Sequence, residues 1–247
     1  MKILGVIPAR YASTRFPGKP LADIAGKSMI ERVYRQVMKS TLLSRVLVAT
    51  DHPAIFNHVK SFGGKVFMTS ESHPSGTDRC FETLSNQEEK FDYVINIQGD
   101  EPFIAPEQID LLAQLLDGKT ELATLIKKIE REDELFNPNV VKVVKDDFDE
   151  AIYFSRSPIP HVRNTPQQEW LSHHPFFKHI GMYAYRHDIL AKITKLEISS
   201  LERTESLEQL RWIENGYSIK VTETNQETMG IDTPEDLERA VQFVNRA

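Results

Sequence analysis

Short apolar runs alternate with segments of helical periodicity along the first half of the chain. The mainly apolar runs at Ile3 to Ile7, Arg45 to Ala49 and Lys65 to Met68 are typical of buried strands. Between these runs, apolar residues recur every three or four positions from Met29 to Met38 and from Ile55 to Phe62, which indicates amphipathic helices. This order of elements predicts an α/β fold with a mostly parallel sheet and helices on both faces.

The pattern changes in the middle of the chain. Tyr93 to Ile97 predicts another central strand, and the apolar positions from Ile109 to Leu116 predict a helix after it. Closely spaced strand-like segments then follow at Leu122 to Ile129, Val140 to Val144, Ala151 to Ser155 and Lys178 to Tyr185. We expect these segments to form a mixed or antiparallel extension of the sheet.

The last third of the chain contains one irregular segment and two clear elements. His161 to His174 is polar and aperiodic, so we expect a mobile loop there. Ser218 to Thr222 predicts a late strand, and Thr233 to Asp236 has the composition of a helix start. No segment has the composition of a linker, so we expect a single domain over residues 1–247.

Charge and cysteine content exclude several classes of protein. The chain of 247 residues has a net charge of −6, so it is a poor candidate for binding nucleic acid. Its single cysteine excludes an internal disulfide and a cysteine-based zinc cluster. We find no signal peptide and no apolar stretch long enough to cross a membrane, so we expect a cytoplasmic protein without membrane insertion.

The segment from Pro8 to Pro20 carries the strongest chemical signal. It follows the first predicted strand, where open α/β sheets bind ligands. Arg10, Arg15 and Lys19 could face a triphosphate, and the small residues between them would let backbone N–H groups approach it. A solvated basic loop is the alternative. The sequence lacks a complete P-loop and has no GxGxxG fingerprint, which argues against such an ATPase and against a dinucleotide dehydrogenase.

Two acidic segments are candidates for a metal site. Gln98, Asp100 and Glu101 stand just after a buried strand, where a carboxylate suits Mg²⁺ held between protein and phosphate. Asp232 lies in the segment Gly230-Ile-Asp-Thr-Pro, before the last predicted helix. Each has a structural alternative, since Gly-Asp forms turns and an aspartate before a helix complements its dipole.

Eight segments in one order resemble the 3-deoxy-manno-octulosonate (Kdo) cytidylyltransferases. They are Pro8 to Pro20, Ala49 to Asp51, His73 to Arg79, Asn96 to Pro102, Phe154 to Arg156, Lys178 to Tyr185, Ser206 to Arg211 and Gly230 to Asp236. The resemblance extends from Lys2 to the last helix, with Phe16 as a mild departure. It implies a single Rossmann-like domain of the nucleotide-diphospho-sugar transferase fold, with a mixed, mostly parallel central sheet and a smaller antiparallel extension. It also implies a homodimer.

The resemblance implies an activity and a set of site residues. The reaction would transfer CMP from CTP to Kdo, with release of pyrophosphate, for lipopolysaccharide biosynthesis. Arg10, Ser13, Arg15 and Lys19 would hold the phosphates, and His73, Ser75, Gly76 and Thr77 would border the cytosine. The sugar acid would contact Arg79, Gln98, Arg156, His179, Tyr183, Tyr185, Glu208 and Gln209. Asp100 and Asp232 would hold Mg²⁺, and with Arg10 and Lys19 they form the predicted catalytic group.

Three other interpretations remain open from the sequence alone. A related cytidylyltransferase would act on sialate or on 8-amino-Kdo. A nucleotide sensor without activity should lack one of the two metal carboxylates, yet Asp100 and Asp232 are both present. An NAD-dependent enzyme would require the missing glycine fingerprint.

Overall fold

Four parallel strands form the sheet of a first unit, which comprises residues 1–113 and the segment that begins at Glu227. The strands are β1 (Ile3–Ala9), β4 (Arg45–Thr50), β5 (Val66–Met68) and β6 (Tyr93–Asn96). Their order is β6-β1-β4-β5, and all three pairings are parallel. A short antiparallel ribbon, β2 (Asp23–Ile24) and β3 (Lys27–Ser28), follows β1 in the chain. The structure is a computed structural model that describes residues 1–12 and 16–246.

The helices of this unit follow the strands in alternation. They are α1 (Met29–Val37), α2 (Pro53–Ser61), α3 (Gly76–Ser85), α4 (Pro106–Gln114), which ends at the unit boundary, and α10 (Pro234–Arg246). The sequence pattern did not predict α3. Its buried face consists of Thr77, Arg79, Cys80 and Thr83, so polar residues conceal the periodicity.

The C-terminal segment packs on the first unit through an apolar cluster. Ile231 and Ala240 are fully buried together with Ile24 and Met29, and Leu237 packs against them. The start of α10 is fixed by reciprocal hydrogen bonds between Thr233 and Asp236. The Asp236 N–H donates to the Thr233 hydroxyl, and the Thr233 N–H donates to the Asp236 carboxylate. The predicted helix start is confirmed, and it returns residue 232 to the unit that contains β1.

The second unit, residues 114–226, contains the remaining strands. They are β7 (Leu122–Lys128), β8 (Lys142–Lys145), β9 (Ala151–Ser155), β10 (Phe177–Arg186) and β11 (Ile219–Glu223). β11 pairs with β7 in parallel, whereas the pairs β7–β10, β10–β8 and β8–β9 are antiparallel. The helices are α5 (Glu132–Phe136), α6 (Trp170–His173), α7 (His187–Ile193), α8 (Ser200–Glu205) and α9 (Gln209–Glu214). The antiparallel extension is confirmed, while the single domain over 1–247 stays a prediction.

The segment from His161 to His174 is more regular than its sequence suggests. A 3-10 turn at Gln167–Glu169 leads into α6, so the prediction of a loop is wrong for residues 167–173. Trp170 is buried with Phe176 and Leu135, and its indole N–H donates to the Thr165 carbonyl at 3.0 Å. One large aromatic side chain thus anchors a polar segment that lacks apolar periodicity.

Candidate active site

A cavity of about 350 Å³ lies at the carboxyl ends of β1 and β6 in the first unit. Its lining residues are Pro8, Ala9, Arg10, Lys19, Pro20, His73, Pro74, Ser75, Gly76, Arg79, Gln98, Gly99, Asp100 and Asp232. Ligands of open α/β sheets bind at this end of the strands. The cavity therefore gathers residues from the basic loop, from the turn after β6 and from the segment before α10.

Gly99 allows the turn after β6 to lie directly against the end of β1. A Cβ atom at position 99 would lie 2.5 Å from the Pro8 carbonyl oxygen, a distance that non-bonded atoms do not tolerate. Only glycine permits so close an approach of two backbone segments. Gly99 therefore fixes where the neighbouring Asp100 stands relative to the loop that follows β1.

Lys19 links the two predicted metal carboxylates. Its ammonium lies 2.7 Å from Asp100 Oδ2 and 3.2 Å from Asp232 Oδ1. It also donates to the Ile231 carbonyl at 2.9 Å, while the Ile231 N–H donates to the Asp100 carbonyl at 2.9 Å. Asp100 and Asp232 are distant in sequence, yet in the folded chain they share one cationic partner.

The oxygen atoms around Lys19 fit the chemistry of Mg²⁺. Two carboxylates and one carbonyl already converge on a single cation, the lysine ammonium. Within residues 1–12 and 16–246, no three His, Cys, Asp or Glu side chains group into a metal site. Mg²⁺ typically takes one or two protein carboxylates, with phosphate and water as its other ligands. Asp100 and Asp232 therefore suit Mg²⁺ that binds with a nucleotide, and the metal itself stays a prediction.

The predicted cytosine segment forms the start of α3. Ser75 caps the helix, because its hydroxyl accepts the Asp78 N–H at 3.2 Å and donates to Asp78 Oδ2 at 2.7 Å. Ser75 and Gly76 line the cavity. Thr77 is buried in the first turn and does not line it. The cap thus holds the predicted cytosine residues at a defined position.

His73 is held at the cavity wall by Glu82 on α3. The His73 Nε2 atom is hydrogen-bonded to the Glu82 carboxylate, which also accepts the Ser70 N–H at 2.8 Å. Burial raises the pKa of Glu82, but the hydrogen bonds from Ser70 and His73 outweigh it, so the pKa lies below its ordinary value. Glu82 therefore remains a carboxylate, and it holds both Ser70 and His73 against α3.

Arg79 lines the cavity but is already engaged inside the first unit. Its guanidinium lies 2.8 Å from Asp51 Oδ2, and it also donates to the Thr69 hydroxyl and to the Ser70 carbonyl. Only 4% of the Arg79 side chain is exposed. In this arrangement Arg79 positions the Asp51 carboxylate, and its contact with the sugar acid stays a prediction.

Asp51 and His52 support the loop after β1, a role that the sequence analysis did not assign to them. Asp51 Oδ1 accepts the Tyr11 N–H at 3.4 Å, and the Tyr11 ring stacks on His52 with 4.0 Å between ring centroids. The Gly18 N–H donates to the Tyr11 carbonyl, which ties the two sides of the loop together. The sequence did offer a signal for Asp51, because it is a carboxylate directly after strand β4, and Asp100 was selected as a carboxylate after strand β6 in the same way.

The second unit gathers the predicted sugar residues of β10 in an aromatic cluster. His179 lies 5.1 Å from Tyr183 between ring centroids, and Tyr183 lies 5.1 Å from Trp212. Tyr185 stacks beside Tyr183. The Thr124 hydroxyl is 3.0 Å from His179 Nε2, and burial lowers the pKa of His179 to about 3. His179 is therefore a neutral imidazole at physiological pH.

Two polar atoms of this cluster have no hydrogen-bond partner within the part of the chain that the structure describes. They are the Tyr183 hydroxyl and the Trp212 indole N–H, and both are buried. Burial raises the pKa of Tyr183 well above its ordinary value, with smaller contributions from Tyr185 and Glu208. Buried polar groups are almost always paired, so these atoms are suited to a polar ligand or water.

Arg156 supports the turn that precedes α9. Its guanidinium donates to the backbone carbonyls of Glu205 at 2.7 Å, Pro138 at 3.1 Å and Ser206 at 3.3 Å. Ser206 has a positive φ of 52° and ends α8. Arg156 thereby positions the turn that leads to Glu208 and to the buried Gln209.

Within the part of the chain that the structure describes, the predicted site residues fall into two groups, one in each unit. The first unit gathers Arg10, Lys19, His73, Ser75, Gly76, Arg79, Gln98, Asp100 and Asp232 around the cavity. The second unit contains Arg156, His179, Tyr183, Tyr185, Glu208 and Gln209. Ser13 and Arg15 lie outside the described residues. The individual roles of all these residues stay predictions.

A parallel sheet with a basic loop and paired carboxylates at its carboxyl end is suited to a nucleotide and its metal, as a nucleotidyltransferase requires. The family model described as Cytidylyltransferase matches residues 4–242. The relative from Cytophaga hutchinsonii, named 3-deoxy-manno-octulosonate cytidylyltransferase, is 60% identical and covers 97% of this chain and 96% of its own. The relative of the same name from Parabacteroides distasonis is 57% identical and covers 99% and 98%.

A solved structure of a similar protein has the same fold. It is CMP:2-keto-3-deoxy-manno-octonic acid synthetase complexed with CTP, with a TM-score of 0.92, 42% identity, and coverage of 100% of this chain and 99% of that one. The chain belongs to the cytidylyltransferase family and, within it, to the 3-deoxy-manno-octulosonate cytidylyltransferases. The predicted family, the predicted class of enzyme and the predicted fold class are confirmed.

Proposed function

We propose that this protein transfers the CMP group of CTP to Kdo and releases pyrophosphate. The observation that carries the proposal is the cavity of the first unit, where Lys19, Asp100 and Asp232 meet beside Arg10. The high identity to relatives named for this activity supports the choice of nucleotide and sugar acid. The product would serve lipopolysaccharide biosynthesis.

The chemical step is a displacement at the α-phosphorus of CTP. The anomeric hydroxyl oxygen of Kdo forms the new P–O bond, the bond to the bridging oxygen of the β-phosphate breaks, and pyrophosphate leaves with the electron pair. The hydroxyl proton passes to solvent, since no residue stands out as a general base. Such transfers require mainly alignment and neutralisation of phosphate charge.

The residues of the first unit supply that neutralisation. Arg10 and Lys19 would hold the triphosphate, as would Ser13 and Arg15, which lie outside the described residues. Asp100 and Asp232 would hold Mg²⁺, which supplies charge compensation at the phosphates when bound. His73, Ser75, Gly76 and Thr77 would border the cytosine.

The residues predicted for Kdo come from both units of the chain. Arg79 and Gln98 belong to the first, and Arg156, His179, Tyr183, Tyr185, Glu208 and Gln209 belong to the second. A neutral His179 has no charge to pair with a carboxylate, and the Tyr183 hydroxyl can both donate and accept, so both side chains can serve an uncharged sugar hydroxyl. We therefore assign these two side chains to the hydroxyl groups of Kdo.

The location and assembly of the protein belong to the same proposal. None of the helices in residues 1–12 and 16–246 combines the length and the apolar composition of a membrane-spanning segment. A cytoplasmic location is part of the proposal, and the single, buried Cys80 is compatible with a reducing compartment. A homodimer is proposed from the family resemblance alone.

A pyrophosphate-release assay tests the function. CTP, UTP, ATP and GTP are each supplied with Kdo, 8-amino-Kdo or sialate, and we expect turnover with CTP and Kdo to exceed every other pair. Comparable turnover with ATP would contradict the cytosine assignment. Faster turnover with 8-amino-Kdo or sialate would favour the related cytidylyltransferases, which the names of the close relatives do not favour.

A further inference from the structure

Lys19 occupies a position suited to a metal ion. Among the residues that the structure describes, its ammonium has three oxygen neighbours within hydrogen-bond distance, from Asp100 at 2.7 Å, Ile231 at 2.9 Å and Asp232 at 3.2 Å. The side chain is only 16% exposed, against 32% for Asp100 and 54% for Asp232. The lysine is thus the most enclosed of the three charged side chains, and its ammonium contacts both carboxylates.

The backbone holds the two carboxylates together. The Ile231 N–H donates to the Asp100 carbonyl, and the Ile231 side chain is fully buried in the cluster that fixes α10. The backbone that carries Asp232 therefore cannot move away from Asp100 without loss of that packing. Two like charges kept close require a counter-ion, and in this structure Lys19 provides it.

We propose that Lys19 is the resident counter-ion of Asp100 and Asp232 whenever no divalent metal is bound. A divalent metal and Lys19 then compete for the same carboxylates. A triphosphate relieves this competition, because it offers the lysine ammonium another anionic partner. A long, flexible side chain with three N–H donors is suited to such a change of partner.

This arrangement couples the binding of metal and nucleotide. Metal binds weakly to the nucleotide-free protein because it must displace Lys19, and it binds more tightly once the lysine has moved to the phosphates. By thermodynamic linkage, the metal must strengthen nucleotide binding by the same factor. The inference rests on the proposed function, because it takes Asp100 and Asp232 as the metal carboxylates of that reaction.

The test measures Mn²⁺ binding to the full chain without nucleotide, by electron paramagnetic resonance of the free ion. Lys19→Met removes the competing charge, and we expect it to tighten Mn²⁺ binding about fivefold, a factor consistent with two partly exposed ion pairs. Lys19→Arg retains the charge and should bind Mn²⁺ as the wild type does. Lys27→Met removes an exposed lysine and serves as the matched control.

Three outcomes would overturn the inference. They are unchanged or weaker Mn²⁺ binding by Lys19→Met, an equal gain in Lys27→Met, and an equal gain in Lys19→Arg, which would exclude charge as the cause. A melting curve of each variant establishes that it is folded.

A second measurement needs no variant. The rate of amine modification at Lys19, followed by mass spectrometry, should rise when Mn²⁺ is added to the wild-type protein, because the released ammonium loses its carboxylate partners. An unchanged rate would contradict the proposal. These binding readouts are independent of turnover, so failure of the pyrophosphate-release assay alone would refute the proposed function and leave the competition between Lys19 and metal in place.

Discussion

Gly99→Ala should impair activity although it changes no charged group. The added Cβ would lie 2.5 Å from the Pro8 carbonyl oxygen and 3.6 Å from Ile7 Cγ2. Real Cβ atoms essentially never approach another atom within 3.0 Å, so the turn must move by at least half an ångström. The movement separates Asp100 from the end of β1. The neighbour is backbone, which cannot rotate away as a side chain can.

The magnitude follows from that displacement. Misplacement of reacting groups by about 1 Å can cost roughly a hundredfold in rate, so we expect kcat/KM to fall on the order of tenfold to hundredfold. Overpacking of this kind also costs about 1–3 kcal/mol of stability. Pyrophosphate release with CTP and Kdo measures the first effect, and thermal unfolding measures the second.

The matched control for this prediction is Gly230→Ala. It makes the same chemical change two residues before Asp232, where an added Cβ meets nothing within 4 Å and φ is not positive. We expect nearly normal kinetics for this variant. If Gly99→Ala keeps kcat/KM within about twofold of the wild type, the argument that backbone contact positions Asp100 is refuted.

Three further predictions concern the charged and titrating residues. Asp100→Asn and Asp232→Asn should each remove most turnover, and the double variant should be little worse than either because the two carboxylates serve one ion. Near-normal turnover of one variant at saturating Mg²⁺ would exclude that residue as a ligand. Asp147→Asn, at an exposed position, is the control. Burial lowers the pKa of His179 from its ordinary value of 6.5 to about 3, so the unfolded chain binds more protons between these limits. Stability should therefore fall as pH drops from 6.5 towards 3, by up to about 1.4 kcal/mol per pH unit. His179→Gln should lessen this loss in urea unfolding at pH 7 and pH 5, and an unchanged pH dependence would contradict it. Arg156→Met should lower stability by about 1–3 kcal/mol because three carbonyls lose a donor, whereas unchanged unfolding with a raised KM for Kdo would identify Arg156 as a substrate contact.

The amino-acid sequence alone determined the fold class, the order of most elements and the family. Strands such as β1 are buried along their whole apolar run, and α1 buries its periodic face, so local pattern and final burial agree. The basic loop and the two acidic segments could be selected because each follows or precedes a regular element. Local chemistry was sufficient for these predictions, because periodicity, caps and turn residues act within a few positions of one another.

Where local pattern and burial disagree, the sequence was not sufficient. Helix α3 was missed because its buried face contains two threonines and Arg79, and the guanidinium of Arg79 binds Thr69 and Asp51 outside the helix. The order around Trp170 was missed for a related reason, since a single aromatic residue anchors an otherwise polar segment. Both elements are stabilised by tertiary contacts that no short window of sequence contains.

Only the tertiary structure decided which distant charges meet. Sequence reasoning placed Lys19 with the phosphates and Asp100 with Asp232 at a metal, but it did not predict that the lysine ammonium bridges the two carboxylates. That contact exists because burial of Ile231 returns the C-terminal segment to the first unit, where the Ile231 N–H meets the Asp100 carbonyl. Which distant residues meet depends on how the apolar core packs, and the order of charged residues along the chain does not specify that packing.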